Sequence, residues 1–111
     1  MTGLREPLDH FSSNRTFQLW AYTVSMGQLL LRSTKSQGQP TRVDVFFQNV
    51  HRVDLPAHME GLQIQRLDDR TYRASGRGWE GAVDAGVMVV AEDDGEYHDP
   101  SALYKGGLGG N

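Results

Sequence analysis

Cysteine is absent from this 111-residue sequence, which excludes disulfide bonds, thiol nucleophiles and thiolate metal sites. Long apolar runs are absent too. The longest, Gly86–Ala91, is far shorter than the roughly 20 residues that a membrane-spanning helix needs. The first seven residues lack the apolar segment of a secretory signal. We therefore expect a soluble, cytoplasmic protein, and no pattern in the sequence indicates a cofactor.

Positive charge is also scarce. Eleven Lys and Arg residues face 14 Asp and Glu residues, which gives a net charge of −3. The excess is concentrated near the C-terminus, where five carboxylates from Glu92 onward face only Lys105. Binding to the phosphate backbone of nucleic acids depends on basic patches, so the charge argues against a nucleic-acid partner.

Apolar residues make up only 38% of the chain, whereas glycine is frequent, with 13 residues. This composition is typical of short strands joined by turns rather than of a helix bundle. The clearest alternation lies in Arg42–Val50, where Val43, Val45 and Phe47 share one face of an extended chain. The pattern predicts a strand that buries this face.

The predicted fold class is mainly β, with six to seven short strands in a small sandwich or partly open barrel. At most one short helical turn is expected, near the N-terminus at Leu8–Phe11. Gly27 supplies the turn between the first two strands. Arg70–Ser75, with one large apolar residue, reads as an edge strand. The predicted strands are Phe17–Ser25, Gln28–Arg32, Arg42–Val50, Gly61–Leu67, Arg70–Ser75 and Ala82–Glu92.

The chain length predicts one domain. Residues 1–16 read as an N-terminal arm or loop, 17–100 as the β-rich domain and 101–111 as a flexible, Gly-rich tail. Within the domain, Ser33–Thr41 is predicted to be an exposed loop because it is polar and contains Gly and Pro. Gly76–Gly81 is predicted to be an irregular, Gly-rich segment, either an exposed loop with Arg77 and Trp79 at its tip or one in which Trp79 folds back onto the core.

No metal site is predicted. The segment Glu92–Asp99 contains five carboxylates and His98, but its spacing does not match an EF-hand loop. A solvated turn at Asp94-Gly95 is the simpler interpretation, and a bound cation or a basic partner is the alternative. The four histidines lie at none of the spacings typical of zinc ligands.

No catalytic residue is predicted either. The sequence contains no Gly-x-Ser-x-Gly motif, and its serines lie in or beside predicted turns. Asp44 and Asp84 both fall within predicted strands, which is unusual for aspartate. Alternation lets Asp44 face solvent, whereas it directs Asp84 toward the side of Met88 and Val90. Asp84 is therefore the better candidate for a pocket residue.

Residues 20–64, through the runs 20–33, 42–47 and 55–64, resemble small uncharacterised bacterial β-rich domains. The resemblance implies a β fold and carries over no active residues. Some small, acidic bacterial proteins are immunity proteins of toxin systems, which by analogy implies an inhibitory role.

Two functional hypotheses follow. The first is a non-enzymatic protein-interaction module, such as an inhibitor, an immunity-like protein or an accessory subunit, or a homodimer formed through an edge strand. Arg and Trp are enriched at binding hot spots, and the C-terminal segment is acidic. The predicted partner-binding residues are Arg77, Trp79, Asp93, Asp94 and Glu96.

The second hypothesis is a small-molecule-binding β-barrel protein or a small enzyme. Barrel interiors and barrel mouths are common ligand sites. The predicted pocket residues are Trp20, Tyr22, His51 and Asp84.

Overall fold

The computed structural model describes residues 6–36 and 38–96. Within these residues a 3-10 turn at Val24–Met26 is the one helical element, and no helix there is long and apolar enough to cross a membrane. The strands are β1 (His10–Thr23), β2 (Gln28–Ser33), β3 (Arg42–Gln48), β4 (Arg52–Asp54), β5 (His58–Arg66), β6 (Thr71–Gly76), β7 (Trp79–Asp84) and β8 (Val87–Asp93).

All eight strands belong to one antiparallel sheet in the order β4-β7-β6-β5-β1-β2-β3-β8, and the sheet is not closed. The edges are β4, which has only three residues, and β8. Strand β1 is much longer than its neighbours and takes part in the pairing of both halves of the sheet. Its first half pairs with β5, as in Phe11↔Ile64, and its second half pairs with β2, as in Tyr22↔Leu29.

The register of β1 shifts twice, between Ser13 and Thr16 and between Leu19 and Ala21. Such bulges bend a strand and increase its twist. They allow the 14-residue strand to curve around the core while both its halves remain paired.

A second bend separates β7 from β8. Only Ala85 and Gly86 connect the two strands, yet β7 pairs with β6 and β8 pairs with β3, at opposite ends of the sheet order. The N–H of Gly86 donates to the carbonyl oxygen of Gln48 at 2.9 Å. This bond ties the bend to the end of β3, so the two ends of the curled sheet meet here.

The inner face of the curled sheet holds the main core. Phe47 of β3 and Tyr72 of β6 pack edge to face, with ring centroids 5.3 Å apart. Because these strands are not neighbours in the sheet, the contact shows that side chains fill the interior. The buried members of the core are Phe17, Leu29, Leu31, Val43, Val45, Phe47, Val50, Met59, Leu62, Ile64, Tyr72, Ala74, Val83, Ala85 and Met88.

The structure confirms the mainly β class. It also confirms the alternation in β3, since Val43, Val45 and Phe47 all belong to the main core. Gly27 has φ 60°, the left-handed conformation expected of the turn residue.

The N-terminal arm differs from the prediction. Strand β1 begins at His10, and the predicted helical turn at Leu8–Phe11 is wrong. Phe11 packs against the main core and pairs with Ile64 of β5, and this distant partner outweighs the local helical spacing. The predicted tail, 101–111, lies outside the described residues.

The second half of the sheet contains further corrections. The predicted edge strand Arg70–Ser75 corresponds to β6, which lies between β5 and β7. Its outer partner β7 begins at Trp79, within the segment predicted as a Gly-rich loop. The predicted strand Ala82–Glu92 is divided between β7 and β8, and β4 was not predicted. Gly78 and Gly81 obscured the start of β7 because glycine weakens the sequence signal of a strand.

Candidate functional site

The end of the β1–β2 hairpin forms a compact projection, the hairpin tip, which comprises Tyr22–Gly27. The 3-10 turn at Val24–Met26 reverses the chain, and the N–H of Gly27 donates to the carbonyl oxygen of Val24 at 3.1 Å. The carbonyl oxygen of Gly27 accepts a bond from the N–H of Val50 at 3.0 Å. The tip is therefore fixed both to itself and to the segment after β3.

Apolar side chains cover the hairpin tip. Tyr22, Val24 and Met26 are 36%, 73% and 54% exposed, respectively. No charged residue lies between Tyr22 and Arg32 in the sequence. Single exposed apolar residues are common, but three on one uncharged turn make the tip a candidate interaction surface.

A second apolar cluster lies on the outer face of the sheet, and it includes Trp20 and Ala21, the residues that precede the tip on β1. Leu30 and Phe46 form this second cluster, and Trp20, Ala21 and Val89 pack against it. The strands β1, β2, β3 and β8 thus carry apolar side chains on both faces. The part of the sheet next to the tip is therefore packed on both sides.

A buried ion pair lies beside this cluster. Arg32 of β2 is directly opposite Asp44 of β3, and their side chains are 1% and 2% exposed. The guanidinium donates twice, from Nε at 2.7 Å and from Nη2 at 3.1 Å, and it lies 5.1 Å from the centroid of the Trp20 ring. The expectation that Asp44 faces solvent is therefore wrong, because the outer face of β3 is buried and Arg32 meets the carboxylate across the strand pair.

A second Arg–Asp pair connects β3 to the edge strand β8. Arg42 donates to both carboxylate oxygens of Asp93, at 2.9 and 3.0 Å, and also to the carbonyl oxygen of Glu96. Burial alone would raise the pKa of Asp93. The bonds from Arg42 and from the N–H of Gly95, together with the charge of Arg42, outweigh it and hold the pKa below 3.8.

The predicted partner-binding residues are distributed over two separate regions. The Nε1 of Trp79 donates to the carbonyl oxygen of Glu60 at 3.3 Å, and Asp93 is paired with Arg42. The Glu96 carboxylate accepts from Lys35 at 3.0 Å. Arg77 and Asp94 are exposed. Arg77 and Trp79 lie at the β6–β7 turn, whereas the three acidic residues follow or end β8, so the two groups do not form one surface.

The predicted pocket residues also fall into two groups. Trp20 and Tyr22 lie on β1, near and at the hairpin tip. The backbone N–H of His51 donates to the carbonyl oxygen of Asp84 at 2.8 Å, and His51 lines a shallow depression of about 170 Å³ with Asp69. The structure thus brings His51 close to Asp84 but does not join them to the two aromatic residues.

Sequence reasoning missed Val24 and Met26. The available signal was three apolar residues at alternate positions around a Gly turn, with no charged residue nearby. In the sequence these residues look like the end of a buried strand, and only their exposure distinguishes a surface from a core.

Among residues 6–36 and 38–96, no three histidine or carboxylate side chains are close enough to hold a metal ion. His98 and Asp99, which belong to the acidic segment singled out in the sequence, lie outside the described residues.

Comparisons with models of protein families, with curated proteins and with solved structures find no significant match to this chain.

Proposed function

We propose that this chain is a non-enzymatic protein-interaction domain that binds a partner protein through its hairpin tip. The observation that carries the proposal is the joint exposure of Tyr22, Val24 and Met26 on an uncharged turn. An inhibitor, an immunity-like protein and an accessory subunit would all use such a surface.

The energetics of the tip favour binding. Burial of exposed apolar surface contributes about 25 cal/mol per Å². Ordering a flexible loop on binding would offset part of this gain. Here the backbone bonds of Gly27 to Val24 and Val50 already order the turn, so little of that cost remains.

The shape and charge of the tip favour a protein groove as its partner. The tip is the turn at the end of a hairpin and carries three exposed apolar side chains, which an apolar depression on a partner would bury. Anionic membranes attract clusters of Lys and Arg, whereas the nearest basic residue in the sequence after Tyr22 is the buried Arg32. The turn Tyr22–Gly27 itself therefore contains none of the basic residues that would favour a membrane surface.

The sheet edges support partner binding less well. Strand β4 offers three residues, too few for extensive strand pairing. Strand β8 is longer, but the N–H of Leu8 donates to the carbonyl oxygen of Met88, and the Arg15 guanidinium lies 3.4 Å from the Glu92 carboxylate. These two contacts tie the start of β8 to the segment before β1, and the end of β8 to β1 itself. Homodimerisation through an edge is accordingly a weaker proposal than binding through the tip.

Photo-crosslinking in cells of the native host tests the proposal. A photoreactive amino acid replaces Val24 in one variant and Leu67, also exposed but far from the tip in the sequence, in the control. We expect a discrete adduct from position 24, none of that mass from position 67, and loss of the adduct when Met26→Glu is added. An adduct that persists with Met26→Glu, equal adducts at both positions, or no adduct at all would refute the proposal.

Loss of the adduct reports on binding only if Met26→Glu leaves the fold intact. Because Val24 and Met26 are exposed, Val24→Glu and Met26→Glu should each change the free energy of unfolding by less than about 0.5 kcal/mol. Urea denaturation followed by tryptophan fluorescence measures this change. Once the partner is purified, Met26→Glu should raise the Kd of the complex by about tenfold or more.

A further inference from the structure

A polar groove lies at the opposite end of the β1–β2 hairpin from the tip. The two strands pair from Thr23↔Gln28 back to Gln18↔Arg32. Beyond this point β2 ends at Ser33, whereas β1 continues along β5. The fork between the diverging segments encloses a groove of about 410 Å³.

Two local features hold the fork open. The register of β1 shifts between Ser13 and Thr16, which bends this strand at the groove. On the other side, the backbones of Ser36 and Gln39 bond to each other twice, at 3.0 and 2.8 Å, and this bridge shapes the loop after β2. The groove thus has two structured walls.

Hydrogen-bonding groups dominate the lining of the groove. Of its nine described residues, four carry hydroxyl groups, three carry carboxamides and two are arginines, Arg15 and Arg32. None of these nine is a carboxylate and none is an aromatic or aliphatic residue. An apolar ligand would find little surface to bury here, whereas a ligand rich in hydroxyl groups would find both donors and acceptors.

The two arginines are fixed from outside the groove. Arg32 is held by Asp44, and Arg15 donates to the carbonyl oxygen and the hydroxyl of Thr41 at 3.0 and 2.8 Å. The Glu92 carboxylate is 3.4 Å from Arg15 and 56% exposed, whereas the Arg15 side chain is 13% exposed, so water screens this ion pair mainly on the side of Glu92. A guanidinium fixed in this way is suited to a planar or tetrahedral oxyanion.

The geometry points to a binding site for a sugar or other polyol that carries one oxyanion, either a carboxylate or a phosphate. The hydroxyl and carboxamide groups, among them Thr16, Ser36 and Gln18, bind the ligand's hydroxyls, and Arg15 faces its oxyanion. The volume lies within the ~300–1,000 Å³ typical of small-molecule sites. This site is separate from the hairpin tip and does not depend on the proposed protein partner.

A titration of the ¹⁵N-labelled full chain, followed by NMR, tests the inference with glucuronate, glucose 6-phosphate, glucose and inorganic phosphate as probes. We expect at least one of the two acidic sugars to cause saturable shifts of the backbone amides of Thr16 and Ser36. Glucose and inorganic phosphate should bind at least tenfold more weakly than that sugar. No saturable shift with any probe at millimolar concentration would overturn the site. Equal binding of glucose would overturn the oxyanion requirement, and equal binding of phosphate would overturn the sugar requirement.

Matched variants separate the site from general effects. Arg15→Gln should weaken binding of the acidic sugar about tenfold or more, whereas Arg73→Gln, an exposed arginine paired with Glu80 on another part of the sheet, should leave it unchanged. Because Arg15→Gln also removes contacts to Thr41, Ser36→Ala serves as a second, milder test and should weaken binding severalfold. Equal effects of Arg15→Gln and Arg73→Gln would contradict the assignment.

Discussion

Arg32 and Asp44 form a buried ion pair on the outer face of the sheet, and this pair determines which substitutions that face can accept. Their charges are almost completely removed from water, and the two-pronged hydrogen bond and the neighbouring Trp20 ring offset part of the resulting desolvation. Removing either partner leaves the other charge buried without this ion pair. Replacing both with apolar residues removes the cost of burying the two charges.

Asp44→Ala should therefore lower the free energy of unfolding by about 3–5 kcal/mol, because Arg32 stays buried without its carboxylate. The double variant Arg32→Met, Asp44→Leu should be less destabilised than Asp44→Ala. Asp54→Ala, at an exposed position on β4, is the control and should cost less than about 0.5 kcal/mol. Urea denaturation measures all three. An Asp44→Ala variant as stable as the Asp54→Ala control would contradict the role of the pair.

At the scale of single elements, β7 depends on a glycine. Gly81 pairs with Ala74 of β6, and a Cβ atom built on it would overlap the carbonyl oxygen of Asp54 on the edge strand β4. The side chain is absent here because the β4 backbone occupies its place. Gly78, in the β6–β7 turn, has open space around it but a positive φ of 79°.

Gly81→Ala should destabilise the protein by about 2 kcal/mol or more, because the backbone of β4 must move away. Gly78→Ala should cost about 1 kcal/mol, since only its backbone conformation is unfavourable. Thermal unfolding of the two variants compares the loss of stability caused by a steric clash with the loss caused by backbone strain. If Gly78→Ala proved the more damaging, the close approach of β4 to β7 would not be limiting.

The Arg42–Asp93 pair, which fastens β8 to β3, should make stability depend on pH. The folded-state pKa of Asp93 lies below 3.8, its ordinary value in an unfolded chain. The stabilisation is therefore fully present above about pH 4 and is lost as the pH falls through the folded pKa. Asp93→Asn should be less stable than the parent at pH 7, and this deficit should shrink as the pH approaches 3.

Urea denaturation at several pH values measures this deficit. Asp94→Asn is the matched control because Asp94 is the next residue, is exposed and forms no ion pair among the described residues. It should change stability little at any pH. A deficit of Asp93→Asn that stays constant from pH 7 to pH 3 would contradict the linkage.

The molecule as a whole is held together by strand pairs that are distant in sequence. Strand β1 pairs with β5 through Phe17↔Met59, and β3 pairs with β8 through Val45↔Val90. Each such pairing requires closure of a long loop before its contacts contribute.

Refolding should therefore take milliseconds to seconds, as in other β proteins dominated by distant pairings. Stopped-flow fluorescence of Trp20 and Trp79 after dilution from urea measures the rate. Refolding within about 100 microseconds would be incompatible with the observed topology. Rates that rise with protein concentration would indicate association rather than folding of one chain.

Some features of the candidate surfaces were readable from the sequence and others were not. The alternation of Val43, Val45 and Phe47 and the turn at Gly27 could be identified because each depends on neighbouring residues alone. The exposure of Val24 and Met26 could not, since apolar residues at the end of a strand look the same whether a distant element covers them or not. The groove beside Arg15 was also missed, because its walls meet only where β1 leaves β2.

The sequence by itself determined the β class, the strand with the strongest alternation and the position of the first hairpin turn, because extended backbone places alternate side chains on opposite faces. The tertiary structure alone decided the order of the strands, the burial of Asp44 and the division of Ala82–Glu92 into two strands. Each of these depends on which remote strand lies alongside, and pairing across a sheet is set by the packing of the whole chain rather than by adjacent residues.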